Sequence, residues 1–317
     1  MYLKNLELPT TDECNYSIEV SPNNESIFFS LDEKGYLLPK EAFLSQKEQN
    51  LNSLINPEKN KNLKIFELED TIAKAKFSYD NKNLIIGDQT KTITKFTLSE
   101  DNGEQTDKKI IDYKNSKTWK FELDKLDKEK INPILCTGEN SIFLYDYDKN
   151  EIIKEIEQKN KFIYSYCFLP NDTLATGNSN GVIYIYNTKT GEKEKRIEEH
   201  CLLVRNLEFN KNKNILYSAS DDLHINQIDM NALKLFAPIV GHKEPISDII
   251  YNEQKDILIT SSFDGSIKIW DIKNNSMCIE TLELNNKNPI WDISVSESGD
   301  FIAFTASEGI GAFSLKK

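Results

Sequence analysis

The chain has 317 residues, 38% of them hydrophobic and 28% charged, with a formal net charge of −12. That charge repels a polyphosphate unless a basic patch offsets it, and the Lys-rich runs Lys59 to Lys64 and Glu192 to Arg196 are interleaved with Asn or acids, so no direct nucleic-acid reader is expected. No run of about 18 apolar residues suggests a membrane span, Met1 to Glu7 lacks the apolar stretch of a signal peptide, and five scattered cysteines, an odd number, point to free thiols in a reducing compartment, cytosol or nucleus.

In chain order, Tyr2 to Leu8 reads as a strand with no unit of its own in front of it. A first unit of three short strands follows at Tyr16 to Val20, Ser26 to Ser30 and Tyr36 to Leu38. Residues 39–64 then look inserted. Phe43, Leu44, Leu51, Leu54 and Ile55 recur there at helical spacing, which fits a short amphipathic helix as well as it fits a polar loop. A second unit runs through Ile72 to Phe77, Leu84 to Gly87 and Thr92 to Phe96. The third runs through Trp119 to Leu123, Ile134 to Gly138 and Ser141 to Tyr145.

From here the pattern sharpens. Strands at Ile163 to Phe168, Val204 to Phe209, Ile246 to Tyr251 and Ile290 to Val295 alternate as half-buried strands do. Each precedes a strand–turn–strand pair centred on Gly181, Leu223, Gly265 or Gly309, and these four positions lie 42 to 44 residues apart. A period of that size is the mark of propeller blades. With three weaker units before four clear ones, the expected fold is all-β: a seven-bladed β-propeller over residues 1–317, without a linker to divide it. The final unit stops at Lys317 with no fourth strand, so the strand at residues 1–8 is expected to supply it and close the ring.

Two sets of residues repeat at matching spacing. His242, Thr260, Asp264 and Trp270 form one; His200, Ser218 and Asp222 form the other, with Ile228 where the Trp would stand. The fourth unit in chain order, the first of the clear ones, keeps a fragment, Thr176 with Asn180. A Ser/Thr, a His and an Asp also suggest a nucleophilic triad, but recurrence within a repeat favours architecture. Of the three histidines, two belong to these sets. No CxxC, HExxH or glycine-rich phosphate loop is present, so no metal, cofactor or catalytic residue is assigned.

These residues, with Gly241-His242 and Ile269-Trp270-Asp271, resemble the WD-repeat family. The resemblance implies that each set is a buried hydrogen-bonded chain tying a turn to its blade. It also implies that three classes of position line one face of the ring around the channel. Here they hold Tyr16, Trp119, Tyr164, Arg205 and Trp291; Phe162 and Leu203; and Phe263, while Ala73 leaves the second blade bare. An aromatic rim with an arginine is hot-spot chemistry for protein partners engaged through short motifs, with no membrane or small-molecule substrate implied. The alternative is that Trp119 and Trp291 tuck between blades as packing.

Within the family, the order of Lys161 to Ser165, Leu174 to Gly177, Ser218 to Asp222, Gly241-His242 and Ile290 to Ile293 is similar to the WD-repeat subunits of superkiller (SKI) complexes, shared in some eukaryotes with the PAF transcription-elongation complex. The resemblance implies a non-catalytic scaffold in a complex that feeds mRNA to the exosome, in cytoplasm and also nucleus. Other readings are an unrelated WD-repeat scaffold in ciliary or cytoskeletal assembly, a ubiquitin-ligase substrate receptor, or a propeller hydrolase. Lys273, two residues after Asp271, stands where receptors usually carry Arg.

Overall fold

A computed structural model describes residues 2–9, 17–44, 54–90, 92–98, 104–110, 118–123, 133–137, 141–147, 149–158, 162–284, 286–307 and 309–315. These residues form seven antiparallel sheets, one per repeat. The first blade is built from β2 (Ile18–Val20), β3 (Ser26–Leu31), β4 (Lys34–Pro39) and β5 (Lys64–Glu67), after the leading strand β1 (Tyr2–Pro9). The second holds β6 (Ile72–Phe77), β7 (Asn83–Asp88), β8 (Thr92–Thr97) and β9 (Glu104–Ile110). The third holds β10 (Thr118–Leu123), β11 (Pro133–Thr137), β12 (Ser141–Asp146) and β13 (Glu151–Glu157). The fourth comprises β14 (Ile163–Leu169), β15 (Thr173–Asn178), β16 (Val182–Asn187) and β17 (Lys193–Glu198). The fifth comprises β18 (Val204–Asn210), β19 (Ile215–Ser220), β20 (His224–Asp229) and a broken outer strand, β21 (Lys234–Leu235) with β22 (Ile239–Val240). The sixth has β23 (Ile246–Asn252), β24 (Ile257–Ser262), β25 (Ser266–Asp271) and β26 (Met277–Glu283); the seventh has β27 (Ile290–Val295), β28 (Phe301–Ala306) and β29 (Gly309–Leu315), with β1 outside them.

Composition follows position in the blade. The second strands face neighbours on both sides, and the sequences ILITSS of β24 and FIAFTA of β28 are short runs of apolar and small residues, buried at every position. Outer strands instead alternate, as in EIIKEIE of β13, or are charged at all but one position, as in KEKRIE of β17, which protects the exposed edge from pairing with other chains. Between blades the apolar faces merge. Ile259, Ile269, Ile293, Ile302, Phe304 and Phe313 join the sixth blade to the seventh, and each large side chain so buried contributes about 1.5–3 kcal/mol.

The ring closes as the sequence implies. β1 pairs antiparallel with β29 from Tyr2↔Leu315 to Pro9↔Gly309, so the seventh sheet holds residues 2–9 beside residues 309–315. The inserted region leaves the first blade between β4 and β5. Its first turn is the short helix α1 (Lys40–Leu44), whose buried Phe43 joins Leu54 and the first blade's core. Among the described residues, no helix is long and apolar enough to cross a membrane.

Candidate functional site

The innermost strands surround a channel of about 820 Å³. Five of them carry the same irregularity near their first residue: pairing with the second strand slips between Ile72 and Lys74, Ile163 and Ser165, Val204 and Asn206, Ile246 and Asp248, and Ile290 and Asp292. β10 slips likewise between Thr118 and Lys120. A bulge leaves one residue unpaired and re-aims its side chain. The skipped residues are Ala73, Tyr164, Arg205, Ser247 and Trp291, and in β10 Trp119. All but Ser247 are positions that the sequence assigned to the rim.

On the fourth to seventh blades the rim is continuous. Phe162 and Tyr164 have ring centroids 5.5 Å apart. The Arg205 guanidinium lies 5.6 Å from the Tyr164 centroid and 4.7 Å from that of Phe263, within cation–π range of both. Nε and Nη2 of the same guanidinium donate to the two carboxylate oxygens of Asp221, which fixes its plane. Phe263 meets Trp291 edge-on at 4.7 Å. Trp291 Nε1–H donates to Ser307 Oγ at 3.0 Å, and the residue remains 44% exposed. Trp291 therefore does not tuck between blades. Leu203 is half-buried, its carbonyl accepting the Asp221 N–H at 3.0 Å. Tyr16 and the side chain of Trp119 lie outside the described residues.

The residue after each of the five bulges on β6, β14, β18, β23 and β27 plays a part that the sequence did not signal: it ties one blade to the next. Asp248 accepts the Ile293 N–H at 3.2 Å and takes the amide of Asn206. Asp292 accepts the Ile18 N–H at 3.2 Å and pairs with Lys74. Burial pushes the Asp292 carboxyl up, but Lys74 outweighs it and holds the group below the usual carboxylate range. Ser17 accepts the Ala75 N–H at 3.2 Å, and Ser165 donates to the Val204 carbonyl at 3.0 Å. Deeper in the channel, Lys76 pairs with Glu19 at 3.2 Å and Glu122 at 3.4 Å. Burial pushes the Glu19 carboxyl up against these lysines.

The repeated sets are buried chains. In the sixth blade His242 Nδ1 lies 3.0 Å from Asp264 and Nε2 lies 2.8 Å from Thr260 Oγ1, which also accepts Trp270 Nε1–H at 2.9 Å. Asp264 further accepts the Lys243 and Ser266 N–H groups at 3.0 and 2.9 Å. Burial raises its pKa, but these bonds prevail and hold it far below the carboxylate range, while burial holds His242 below its usual value. In the fifth blade His200 sits 2.8 Å from both Asp222 and Ser218. Thr260 and Ser218 are fully buried, so neither hydroxyl can reach a substrate. In the fourth blade Asn180 is exposed, and Thr176 Oγ1 accepts instead from Gln158 Nε2 at 2.8 Å and Asn178 Nδ2 at 3.4 Å. Gln158 precedes Thr176 by 18 residues, the same separation that places His200 before Ser218 and His242 before Thr260. Among the described residues, no group of three His, Cys, Asp or Glu side chains is placed to hold a metal ion.

Residues 233–271 match the family described as WD domain, G-beta repeat. Over 131 residues the chain is 32% identical to the nuclear distribution protein nudF of Aspergillus niger, the match covering 38% of this chain and 29% of that protein. Over 181 residues it is 28% identical to the cilia- and flagella-associated protein 337 B of Tetrahymena thermophila, covering 54% and 14%. Over 128 residues it is 28% identical to the COMPASS component SWD3 of Saccharomyces cerevisiae, covering 38% and 40%. The matched stretches thus span less than half of each relative. The crystal structure of the WD40 β-propeller domain of Doa1 superposes with a TM-score of 0.78 at 15% identity, covering 100% of this chain and 98% of that one. The fold is a WD40 β-propeller.

Proposed function

We propose that this protein is a non-catalytic scaffold that docks short motifs of larger subunits on the channel rim of its fourth to seventh blades. The observation that carries this reading is Trp291, which a bulge aims outward and leaves 44% exposed at the end of the rail running from Phe162 through Tyr164, Arg205 and Phe263. A rigid, half-exposed tryptophan beside a stacked arginine has the composition of an interface hot spot. The buried hydroxyls of Thr260 and Ser218 argue against a hydrolase.

Pull-down from native extract with wild type and Trp291→Ala tests the reading. The variant should melt close to wild type and lose partner affinity about thirtyfold, the equivalent of about 2 kcal/mol. Lys154→Glu on the outer strand β13 should change little. Retention of all partners by a folded Trp291→Ala ring would place the docking face elsewhere.

For the complex, the proposal follows the sequence pattern: a superkiller-type assembly assisting exosome-mediated mRNA decay, in cytoplasm and also nucleus. No superkiller subunit stands among the relatives named above. The name of the Tetrahymena relative, a cilia- and flagella-associated protein, favours a second reading, a scaffold in ciliary or cytoskeletal assembly. Mass spectrometry of the Trp291-dependent partners separates the two: a tetratricopeptide subunit supports the first, and axonemal or motor-associated proteins support the second.

A further inference from the structure

The chemistry of the ring face changes with blade order. Along the aromatic rail Arg205 is engaged internally, held between two rings and forked onto Asp221. At the channel mouth Lys74 faces Asp292, and deeper in the channel Lys76 faces Glu19 and Glu122. These cations therefore offer no fork to an incoming anion.

Beyond Trp291 the ring continues into the first blade, whose Ile18 N–H is bonded by Asp292. There the same face carries carboxylates. The Ile72 N–H bonds the Asp32 carbonyl at 2.8 Å and the Leu68 N–H bonds the Glu33 carbonyl at 3.0 Å, so the Asp32-Glu33 turn and the Glu69-Asp70 loop stand together. The Leu68–Glu33 bond repeats the one from the Leu284 N–H to the Gly265 carbonyl at 2.9 Å, so the Asp32-Glu33 turn is the counterpart of the turn that carries Phe263 and lies on the same face of the ring. Asp32, Glu33 and Glu69 are exposed. Lys34, at the end of the first of these turns, pairs with Glu67 at 3.3 Å.

Resting on the docking reading above, we infer that the occupant of this face is a short basic motif, with an apolar or aromatic side chain seated on Trp291 and Phe263 and lysine or arginine side chains reaching the Asp32-Glu33 turn and the Glu69-Asp70 loop. The tryptophan supplies the seat; the carboxylates select the sign of what lies beside it. A net charge of −12 adds a long-range pull on a cationic segment and repels an acidic or phosphorylated one. Exposed charges act over about 8–10 Å at physiological salt, enough to span neighbouring loops.

The test pans the full chain against a phage-displayed library of random short peptides, with Trp291→Ala and the double variant Glu33→Lys, Glu69→Lys as parallel baits. Both glutamates lie on exposed turns, and matching melts verify that the baits are folded. Peptides enriched on wild type should pair an aromatic or leucine with flanking Lys or Arg and lose enrichment on Trp291→Ala. A synthetic copy of the strongest should bind the double variant about tenfold more weakly. Peptides that need Trp291 but are neutral or acidic would overturn the basic motif while leaving the docking face in place. No Trp291-dependent enrichment would overturn both.

Discussion

The fifth and sixth blades solve the same problem with different redundancy. Each buries a hydroxyl, a histidine and an aspartate at the same spacing. In the sixth, Thr260 Oγ1 has two partners, His242 and the Trp270 N–H, and Asp264 is held by His242, Ser266 and the Lys243 amide. In the fifth, Ile228 replaces the tryptophan opposite Leu216, and Ser218 rests on His200. The turns differ too. Gly265 has φ 74° with the Lys287 backbone so near that an added Cβ would stand 2.5 Å from it, whereas the equivalent position in the fifth blade holds Leu223 at φ 71°. A buried polar chain is robust where each atom has a second partner and brittle where it has one, although the motif reads alike in both.

The largest effect that tests this contrast is His200→Ala. It removes the hydroxyl's partner and should cost about 2–3 kcal/mol, against about 1–2 for His242→Ala, where Trp270 still satisfies Thr260. Chemical denaturation of the two variants decides it, and equal losses would mean that the extra bond carries no weight. Trp270→Phe should cost about 1 kcal/mol and, combined with His242→Ala, bring the sixth blade to the brittleness of the fifth; additive losses would deny the coupling.

Acid should act in two stages. Burial holds the folded pKa of His242 below its usual 6.5, so the unfolded chain binds the extra proton and stability, complete above pH 6.5, declines below it. The second stage belongs to the aspartates. Although burial opposes it, bonding to His200 and to the Cys201 and His224 amides lowers Asp222 from 3.8 to about 2, and Asp264 is lowered as well, so their contribution is present above pH 3.8 and is lost toward pH 2. Melts across pH 7 to 3 should show the first stage shrink in His242→Ala.

The smallest effect is at the turn. Leu223→Gly relieves a left-handed leucine worth about 1–2 kcal/mol and adds about 0.5–1 of unfolded-chain entropy. The net should be a gain of about 0.5 kcal/mol, read as a slightly higher Tm. A lower Tm would show that the leucine side chain packs usefully there.

The four later repeats, the closing strand and both histidine chains were legible because each is a local pattern: alternation, a 42- to 44-residue period, a hydroxyl 18 residues after a histidine. The rim residues Tyr164, Arg205 and Trp291 came from the resemblance, and the bulges supply the physical reason for their outward aim. Ser247 escaped because it is a small polar residue among aromatics, though the same bulge presents it. Gln158 was missed for want of a histidine, although its separation from Thr176 was visible. The links of Asp248 to Ile293 and Asp292 to Ile18 join residues 45 and 274 apart, and no local pattern encodes such a bond.

The pairing of Tyr2 with Leu315 also sets a timetable for synthesis. β1 leaves the ribosome about 300 residues before its partner β29. At roughly 5–20 residues per second, the leading strand waits about 15–60 s with its backbone groups unpaired. Through that interval every finished blade is part of an open arc rather than a ring, and the arc exposes the inner faces that the seventh blade will cover. Closing the gap also carries the entropy of a loop nearly as long as the chain, a cost that grows only with the logarithm of length. Whatever shields nascent chains in the cell therefore has its longest engagement at the two strands that meet last.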